Sequence, residues 1–426
     1  MSIRVAHLSA LWRAGAGAML RIHHSLTENG IDSSVFSADA FDNDLAGCRS
    51  LSKAKPSRHA RLMEKLGIET NQWARRIASA TKSNQAYEAF SPPISIESFD
   101  LSEVLVDADL LHIHWTGSFI DFRSFFPHIQ VPVVWTLHDQ NPYLGGFHYQ
   151  GDVDAATAML PIEYECREIK KEALAQVNLS IVGNSNWNTR LAMSTGVFPK
   201  HASTETIYLP LPATEYQPLS KSESKEKLRI DSNRFVIGFA CAELGNRRKG
   251  FVDLLAAIER LHPLIKSNTT LLSFGRNPPK EIRKRVSVPW MHLGRLSGGQ
   301  QQSVVYSAMD TFVIPSLEEA FGQTPLEAMA CETAVIGTDV GGIPEMIAHE
   351  RTGLLSPARS PIRLSECIEQ MYSEKQLRAA CGANGRQLVI DQHSPQSIAK
   401  QYENLYRRRI LEAKTKYHTK LAIQAA

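Results

Sequence analysis

Two glutamates stand eight residues apart in a segment with the features of a ligand site. Glu319 and Glu327 flank a turn that contains Gly322, between a short apolar run at 311–314 and a helical pattern at 325–330. Open α/β sheets bind ligands beyond the carboxyl ends of their strands, so both carboxylates could face one ligand there. The glycine lets a ligand approach the backbone, and the free amides that open the helix favour negative charge. A diphosphate would suit this position.

A basic turn forms a second candidate. Arg247, Arg248 and Lys249 follow one another directly before a helical pattern at 250–261. Cations at a helix N-terminus oppose the helix dipole, and a bound anion would relieve this. The alternative is an ordinary solvated basic turn, because charge runs commonly lie on the surface.

Histidines end two successive strand-like runs in the first half of the sequence. His138 and Asp139 follow one run, and His112, His114 and Trp115 close the run before it. A histidine after a strand is commonly structural, although the end of a parallel strand is also where ligands bind. His112 and His114 share a strand face and could bind a metal ion, but the sequence reveals no third or fourth ligand, so we predict no metal site.

The elements that must position these residues form two α/β units in series. Short apolar runs alternate with helical patterns in both halves, which indicates parallel, doubly wound sheets. Prolines and a polar run near residue 210 mark the connection. We predict a first domain at 1–210, joined by a returning terminal helix at 395–426, and a second domain at 211–394. The predicted strands are 3–8, 32–36, 110–114, 131–137 and 179–183 in the first half, and 235–239, 270–274, 290–293, 311–314 and 334–337 in the second.

Composition excludes several classes of protein. With 43% hydrophobic and 21% charged residues, and no apolar run of about 20 residues, the sequence is that of a globular protein without a membrane-spanning helix. Six scattered cysteines argue against a disulfide framework or a structural zinc site. The net charge of +3 gives no indication of nucleic-acid binding, and we expect none. The first residues read as a β-strand instead of a signal peptide, so we expect a cytoplasmic protein.

The segment 53–82 is basic and amphipathic. Such a segment can lie on an anionic membrane surface, at the inner face of the membrane in this case, where a lipid-linked acceptor would be found. The alternative is a helix packed on its own domain, because amphipathic helices are ordinary. The sequence leaves both interpretations open.

The motifs together resemble family 4 retaining glycosyltransferases, which have the GT-B fold. The resemblance rests on Ser316-x-x-Glu319-x-Phe321-Gly322, Leu326-Glu327-Ala328-Met329-Ala330, Gly341-Gly342-x-Pro344-Glu345, Lys249-Gly250 and Thr136-x-His138-Asp139. It implies two Rossmann-like domains that face each other across a cleft, with the C-terminal helix crossing back to the first. It also implies retaining transfer from a nucleotide-diphosphate sugar to a glycan or lipid-linked acceptor in surface polysaccharide synthesis, with no cofactor and no metal.

The resemblance further implies roles for single residues. The catalytic group comprises His138, Lys249 and Glu319. The donor-binding group comprises Gly17, Arg248, Lys249, Arg295, Glu319, Ala320, Phe321, Gly322 and Glu327. The acceptor-binding group comprises His114, Trp115 and Asp139. Glu319 would hold donor-sugar hydroxyls, Glu327 the ribose hydroxyls, and Lys249 the diphosphate.

Two departures and two alternatives stay open. The family usually has an arginine five or six residues before the lysine, where this sequence has Leu244 and Glu243, and Arg247 and Arg248 are the two alternatives for its role. Gly15-Ala16-Gly17 lacks the third glycine of a dinucleotide-binding loop, which argues against a nicotinamide cofactor. The alternatives are a catalytically silent sugar-nucleotide-binding partner and a GT-B-shaped epimerase or phosphorylase.

Overall fold

The computed structural model describes residues 3–10, 17–39, 45–53, 72–81, 87–95 and 99–425. The chain divides into two compact units, Met1–Leu209 with Gln396–Ala426 and Pro210–Pro395. In the described residues every strand pair inside the two sheets is parallel. The predicted pair of Rossmann-like domains is confirmed.

The first unit contains a sheet of seven strands in the order β3-β2-β1-β4-β5-β6-β7. The strands are β1 Arg4–Ser9, β2 Asp32–Ser37, β3 Cys48–Ser50, β4 Leu110–Ile113, β5 Val133–Leu137, β6 Leu179–Gly183 and β7 Ser203–Thr206. The helices are α1 Gly17–Glu28, α2 Gln72–Thr81, α3 Phe122–Phe125, α4 Gln150–Ala155, α5 Leu160–Leu174 and α6 Asn186–Ser194. The order reverses between β1 and β4, which makes their carboxyl ends the expected ligand position.

The second unit contains a sheet of six strands in the order β10-β9-β8-β11-β12-β13. The strands are β8 Phe235–Glu243, β9 Thr269–Arg276, β10 Trp290–His292, β11 Thr311–Ile314, β12 Ala334–Thr338 and β13 Gly353–Ser356. The helices are α7 Lys221–Lys227, α8 Phe251–Arg260, α9 Pro263–Asn268, α10 Lys280–Arg283, α11 Gly299–Ala308, α12 Gln323–Ala330, α13 Ile343–Met346, α14 Pro361–Ser373 and α15 Lys375–Gln392. Here the order reverses between β8 and β11.

The last helix, α16 (Pro395–Ala425), belongs to the first unit from Gln396 onward. Its Tyr402 and Tyr406 are buried, and their hydroxyls contact Thr136 and His112 at 2.9 and 2.7 Å. The tyrosines recur one helical turn apart, so they share the face that covers the sheet. The predicted return of the terminal helix to the first domain is confirmed.

Helix α2 is the described part of the basic segment. Its Trp73 and Ile77 pack against the core of the first unit, and Arg76 pairs with Glu165 at 2.6 Å. These contacts favour packing on its own domain for this helix. The rest of the predicted membrane-facing segment, 54–71 and residue 82, lies outside the described residues. Within the described part of the chain, no helix combines the length and apolar character needed to cross a bilayer.

Candidate active site

The second unit joins two loops at its sheet reversal. Strands β8 and β11 are neighbours, so the loops that follow them meet. Leu317 donates its backbone N–H to the carbonyl of Arg248 at 2.7 Å. Gly250 has φ +68, and a Cβ on it would lie 1.8 Å from the carbonyl oxygen of Pro315. Only glycine fits between these loops, which gives the Lys-Gly pair a physical reason.

This junction brings the predicted cations to one predicted carboxylate. Lys249 Nζ contacts the Glu319 carboxylate at 2.5 Å. Arg248 donates to the carbonyl of Glu318 at 3.0 Å and lies 3.6 Å from the Glu319 carboxylate. Arg247 instead lines a separate pocket with Asn246 and Leu317. The structure therefore favours Arg248 as the arginine that accompanies Lys249.

Glycines also shape the backbone around Glu319. Gly341 has φ +59, and a Cβ there would lie 1.8 Å from the carbonyl oxygen of Glu319. The next residue, Gly342, donates its N–H to that same carbonyl at 3.0 Å. Gly322 caps α12 with φ +105, a conformation that side chains other than hydrogen strongly disfavour. Ala320 and Phe321 between these points are buried.

Glu327 is held by two phenols. Its side chain, 7% exposed, accepts hydrogen bonds from Tyr306 at 3.0 Å and Tyr216 at 3.2 Å. Burial, reinforced by the Glu327 charge, raises the pKa of Tyr306 well above its usual range, so this phenol stays a donor. The two tyrosines thus hold the carboxylate in one orientation. The sequence analysis identified neither tyrosine, because the residues next to them in the sequence form no recognisable motif.

Arg295 follows a strand that is not adjacent to the sheet reversal. It lies on an exposed turn after β10, which is the edge strand and two strands away from β8. Neighbouring strands are about 4.8 Å apart, so the turn begins about 10 Å from the sheet reversal. Its assignment to the donor stays a prediction from the resemblance alone.

In the first unit, four of the predicted residues lie together after β4 and β5. The ring of Trp115 stacks on that of His138, with centroids 4.0 Å apart, and its Nε1–H donates to Asp139 at 3.3 Å. His114 and His138 approach at 2.9 Å through Nδ1 and Nε2. All four line one pocket. The Trp115 face that stacks on His138 is covered, so a sugar could use only the other face.

Helix α1 begins at the remaining first-unit candidate. Gly17 is exposed as the first residue of this helix. Its predicted partners in the turn, Gly15 and Ala16, lie outside the described residues. The structure thus places Gly17 at the start of α1 and gives no further contact for its predicted role.

Two further imidazoles stand behind or beside this pocket. His7 Nδ1 lies 2.9 Å from Nε2 of His114, which makes an imidazole row of His7, His114 and His138. His148 Nδ1 contacts Asp139 at 2.7 Å, and its Nε2 contacts Ser91 Oγ at 2.9 Å. Sequence reasoning missed His7, Ser91 and His148. The parallel register that pairs His7 with His112 supplies the missing information, and a single sequence does not contain it.

Burial and neighbouring charges decide the protonation of these imidazoles. Burial lowers the pKa of His138 to about 4, against a smaller opposing effect of Asp139. Burial and then the neighbouring imidazoles hold the pKa values of His7 and His114 well below 6.5. For His148, burial is outweighed by the Asp139 carboxylate, and the pKa is raised. The imidazole row is therefore neutral at neutral pH.

The histidines also bear on the prediction of no metal. Among the described residues, His7, His112 and His114 form one group with nitrogens close enough to consider a metal ion. His7 is thus the third candidate ligand, which the sequence did not reveal. Both nitrogens of His112 already meet hydroxyls, those of Tyr406 and Thr136, each at 2.7 Å. Hydrogen bonding accounts for five of the six ring nitrogens, which favours a network over a metal site.

A buried carboxylate fixes the loop that carries Asp139 and His148. Glu163 on α5 is fully buried and accepts the N–H groups of Gly145 and Gly146 at 2.6 and 2.7 Å. Lys170 donates to the carbonyl of Leu144 at 2.7 Å, and burial lowers its pKa to about 8. Gly145 is required, because a Cβ there would lie 2.0 Å from the carbonyl oxygen of Glu163.

Comparison with known proteins identifies the family. Residues 220–388 match the family model of glycosyl transferases group 1. The matched residues lie within the second unit, and this part of the chain belongs to the family. The chain is 32% identical over 198 residues to α-maltose-1-phosphate synthase of Mycolicibacterium smegmatis, which covers 43% of this chain and 50% of the relative. It is 30% identical over 208 residues to the lipopolysaccharide core biosynthesis mannosyltransferase LpsB of Rhizobium meliloti, covering 45% of this chain and 57% of the relative.

Solved structures extend the fold comparison to nearly the whole chain. HepE of Anabaena, in complex with UDP-glucose, aligns with a TM-score of 0.66 at 16% identity, covering 95% of this chain and 99% of HepE. This likeness shows that nearly the whole chain shares the fold of HepE. In contrast, this chain spans about half the length of the curated relatives that it matches.

Proposed function

We propose that the protein transfers a sugar from a nucleoside diphosphate sugar to a hydroxyl of a glycan or lipid-linked acceptor, retaining the anomeric configuration without a metal ion. The observation that carries this is the 2.5 Å contact of Lys249 with Glu319 at the sheet reversal of the second unit. A sugar diphosphate offers negative charge to the ammonium group and hydroxyls to the carboxylate. HepE with its bound UDP-glucose supports the donor class, and LpsB supports a role in surface polysaccharide synthesis.

Each group has a distinct task in the proposed reaction. Lys249 and Arg248 neutralise the negative charge that grows on the departing diphosphate, together with the first amides of α12. Glu319 accepts hydrogen bonds from sugar hydroxyls, and Glu327 accepts them from the ribose. His138 adds a hydrogen bond to the transferred sugar. The acceptor would contact the Trp115 pocket.

The proposed step is a substitution on one face of the sugar. The acceptor oxygen forms a bond to the anomeric carbon on the face from which the diphosphate leaves, while the bond from that carbon to the diphosphate oxygen breaks. The acceptor proton passes to the departing phosphate oxygen. No protein carboxylate is required as a nucleophile, so Glu319 serves only to bind and orient the sugar.

Donor binding is tested first, with UDP-, GDP- and ADP-sugars in thermal unfolding. A ligand at one hundred times its dissociation constant adds about 2.7 kcal/mol to the free energy of unfolding. We expect one nucleotide class to stabilise the protein and Arg248→Met to weaken the effect. The matched control is Arg247→Met, which removes the adjacent charge from a different pocket. Equal effects of the two substitutions would refute the assignment of Arg248.

Transfer is then measured with a radiolabelled donor of the class found by binding. The wild-type protein should transfer the label to an acceptor or, without one, release free sugar slowly. Lys249→Met should lower kcat by about a hundredfold or more, because it removes charge stabilisation of the leaving group. Donor binding with neither transfer nor hydrolysis would instead favour a silent sugar-nucleotide-binding partner.

The membrane contact of the segment 53–82 stays part of the proposal. Flotation with anionic and neutral liposomes tests it directly, because attraction between basic residues and anionic lipid weakens with salt. We expect binding to anionic vesicles only, at low salt. If the protein stays unbound in all conditions, the segment has no membrane role.

A further inference from the structure

The imidazole row connects the pocket of the first unit to a buried interior histidine. His138 lines the pocket, His114 follows, and His7 is fully buried in β1 behind them. The two nitrogen-to-nitrogen distances are both 2.9 Å, within the range of good hydrogen bonds. Each contact therefore needs one protonated and one unprotonated nitrogen, so the tautomers of the three rings depend on one another.

The rings are neutral, which allows only two arrangements of the protons. Either His7 donates to His114 and His114 donates to His138, or all protons point the other way. In the second arrangement Nε2 of His7 would carry a hydrogen. That nitrogen is buried and has no hydrogen-bond partner within the described part of the chain. Orphaned buried N–H groups are the rarer kind of unsatisfied polar group, so the first arrangement is favoured.

We propose that His7 and His114 are positioning residues that hold His138 in the tautomer protonated on Nδ1. In this arrangement Nε2 of His138 accepts the hydrogen bond from His114. Nδ1 is then the nitrogen that remains for a ligand, and it is a hydrogen-bond donor. This proposal rests on the proposed function, in which His138 contacts the transferred sugar.

The consequence for the reaction is a specific demand on the sugar. A ring fixed as a donor meets a hydroxyl through the oxygen of that hydroxyl, and a group that can only donate would be rejected. A fixed tautomer matters greatly where it has been measured: in the serine protease triad, the wrong histidine tautomer lowers kcat by about ten-thousandfold. Here the ring is fixed by two further imidazoles instead of by a carboxylate.

The buried surroundings of His7 explain why it can set the direction. The rings of His112 and His23 lie 4.7 and 6.1 Å from it, and both have other hydrogen-bond partners. His23 contacts Ser33 Oγ at 2.7 Å through Nδ1. His7 is thus the buried end of the row. Its proton lies on Nδ1 because Nε2 has no hydrogen-bond partner among the described residues.

The test reads the tautomers directly. In protein labelled with ¹⁵N-histidine, long-range proton–nitrogen correlation spectra distinguish protonated from unprotonated ring nitrogens. We expect Nδ1 of His7, His114 and His138 to be protonated and Nε2 of each to be unprotonated, in the wild-type protein without substrate. Protonation of His138 on Nε2 would overturn the proposal, whether or not the protein transfers sugar.

Two substitutions at His7 connect the spectrum to activity. His7→Phe keeps a ring of similar size and removes the donor, so His114 and His138 should populate both tautomers. We expect kcat to fall several-fold while thermal stabilisation by the free nucleoside diphosphate, which lacks the sugar that His138 contacts, is unchanged. His7→Asn offers an amide N–H in the position of Nδ1 and should restore a single tautomer and most of kcat. If His7→Asn and His7→Phe give the same spectrum and the same kcat, the proposal fails.

Two controls separate this proposal from its rivals. Metal analysis of the purified protein should find less than about one-tenth of an equivalent of zinc or another transition metal. About one equivalent that disappears in His7→Phe would mean that the nitrogens are ligands, and would overturn the row. If the expected tautomers are found in a wild-type protein that neither binds nor transfers any sugar nucleotide, the proposed function fails and the row stands.

Discussion

Acidification should destabilise the first unit through its neutral histidines. The pKa of His138 is about 4 in the folded protein and 6.5 in its ordinary state. Between these values the unfolded chain binds a proton that the folded chain does not, so the free energy of unfolding falls as the pH falls. Integrated from neutral pH to about pH 5, this one group contributes a loss of up to about 2 kcal/mol.

Other groups add to this effect or oppose it. Burial lowers the pKa values of His7, His112 and His114 as well, so their contributions have the same sign and are lost over the same acidic range. His148 has the opposite sign: its raised pKa contributes stability below about pH 6.5, which is lost as the pH rises through its folded value. The sum still favours neutral over acidic pH, because four groups outweigh one.

Urea unfolding at pH 7.5 and pH 5 measures this, in wild-type protein and in His138→Gln. Trp290 is the one tryptophan between residues 210 and 395, so a Trp290→Phe background makes fluorescence report on the first unit. The wild type should lose about 2 kcal/mol more than His138→Gln on acidification. Equal losses in both proteins, or a His138 titration midpoint above pH 6 by NMR, would refute the reasoning from burial.

Three further substitutions test the loops that shape the site. Gly250→Ala should abolish donor stabilisation in thermal unfolding, because the new Cβ would clash with the carbonyl oxygen of Pro315. Gly294→Ala has the same φ of +68 and no atom within 4 Å of the new Cβ, so it should lower the free energy of unfolding by only about 1 kcal/mol through backbone strain. Equal losses of unfolding free energy in the two variants would contradict the close approach at Gly250. Glu163→Gln should lower the free energy of unfolding in urea by about 3 kcal/mol, because a buried, multiply bonded carboxylate is lost, and an unchanged midpoint would contradict this. Tyr306→Phe should weaken donor binding about tenfold in thermal titrations by releasing Glu327, with overall stability reduced by about 1.5 kcal/mol; unchanged affinity would mean that the phenol does not orient this carboxylate.

The fold could be predicted from sequence where the strands are long and apolar. Strands β1, β5 and β12 are apolar runs buried on both faces, which is the pattern of a parallel sheet. The strands that sequence analysis missed, β3, β7 and β13, are edges of the two sheets. β3 and β7 are short and largely polar, because an edge strand is less fully covered by helices. Their periodicity carries too little signal to separate them from loops.

The candidate site also contains residues that the sequence could identify and residues that only the fold reveals. Lys249, Glu319 and Glu327 stand in segments whose glycines are forced by close backbone approaches, so local sequence already marks them. No local motif identifies His7, because its importance arises only when the parallel register places it beside His112 and its ring meets that of His114, which follows β4. Local pattern thus identified the residues proposed to meet the ligand, and the fold was needed to find the residues that hold them in place.

That division has a physical cause and a practical consequence. A group that contacts a ligand needs a backbone that the ligand can approach closely and turns with unusual φ values, and both require glycines at neighbouring positions in the sequence. A group that orients another side chain needs only a hydrogen bond at the correct distance, which a residue in any element can supply once the fold brings the two side chains together. Tyr306 behind Glu327 and His114 behind His138 are both of this kind. Substitutions at such supporting residues should therefore alter orientation and rate more than charge, which is why the ring tautomers and the separate behaviour of kcat and donor affinity are the measurements that distinguish their role.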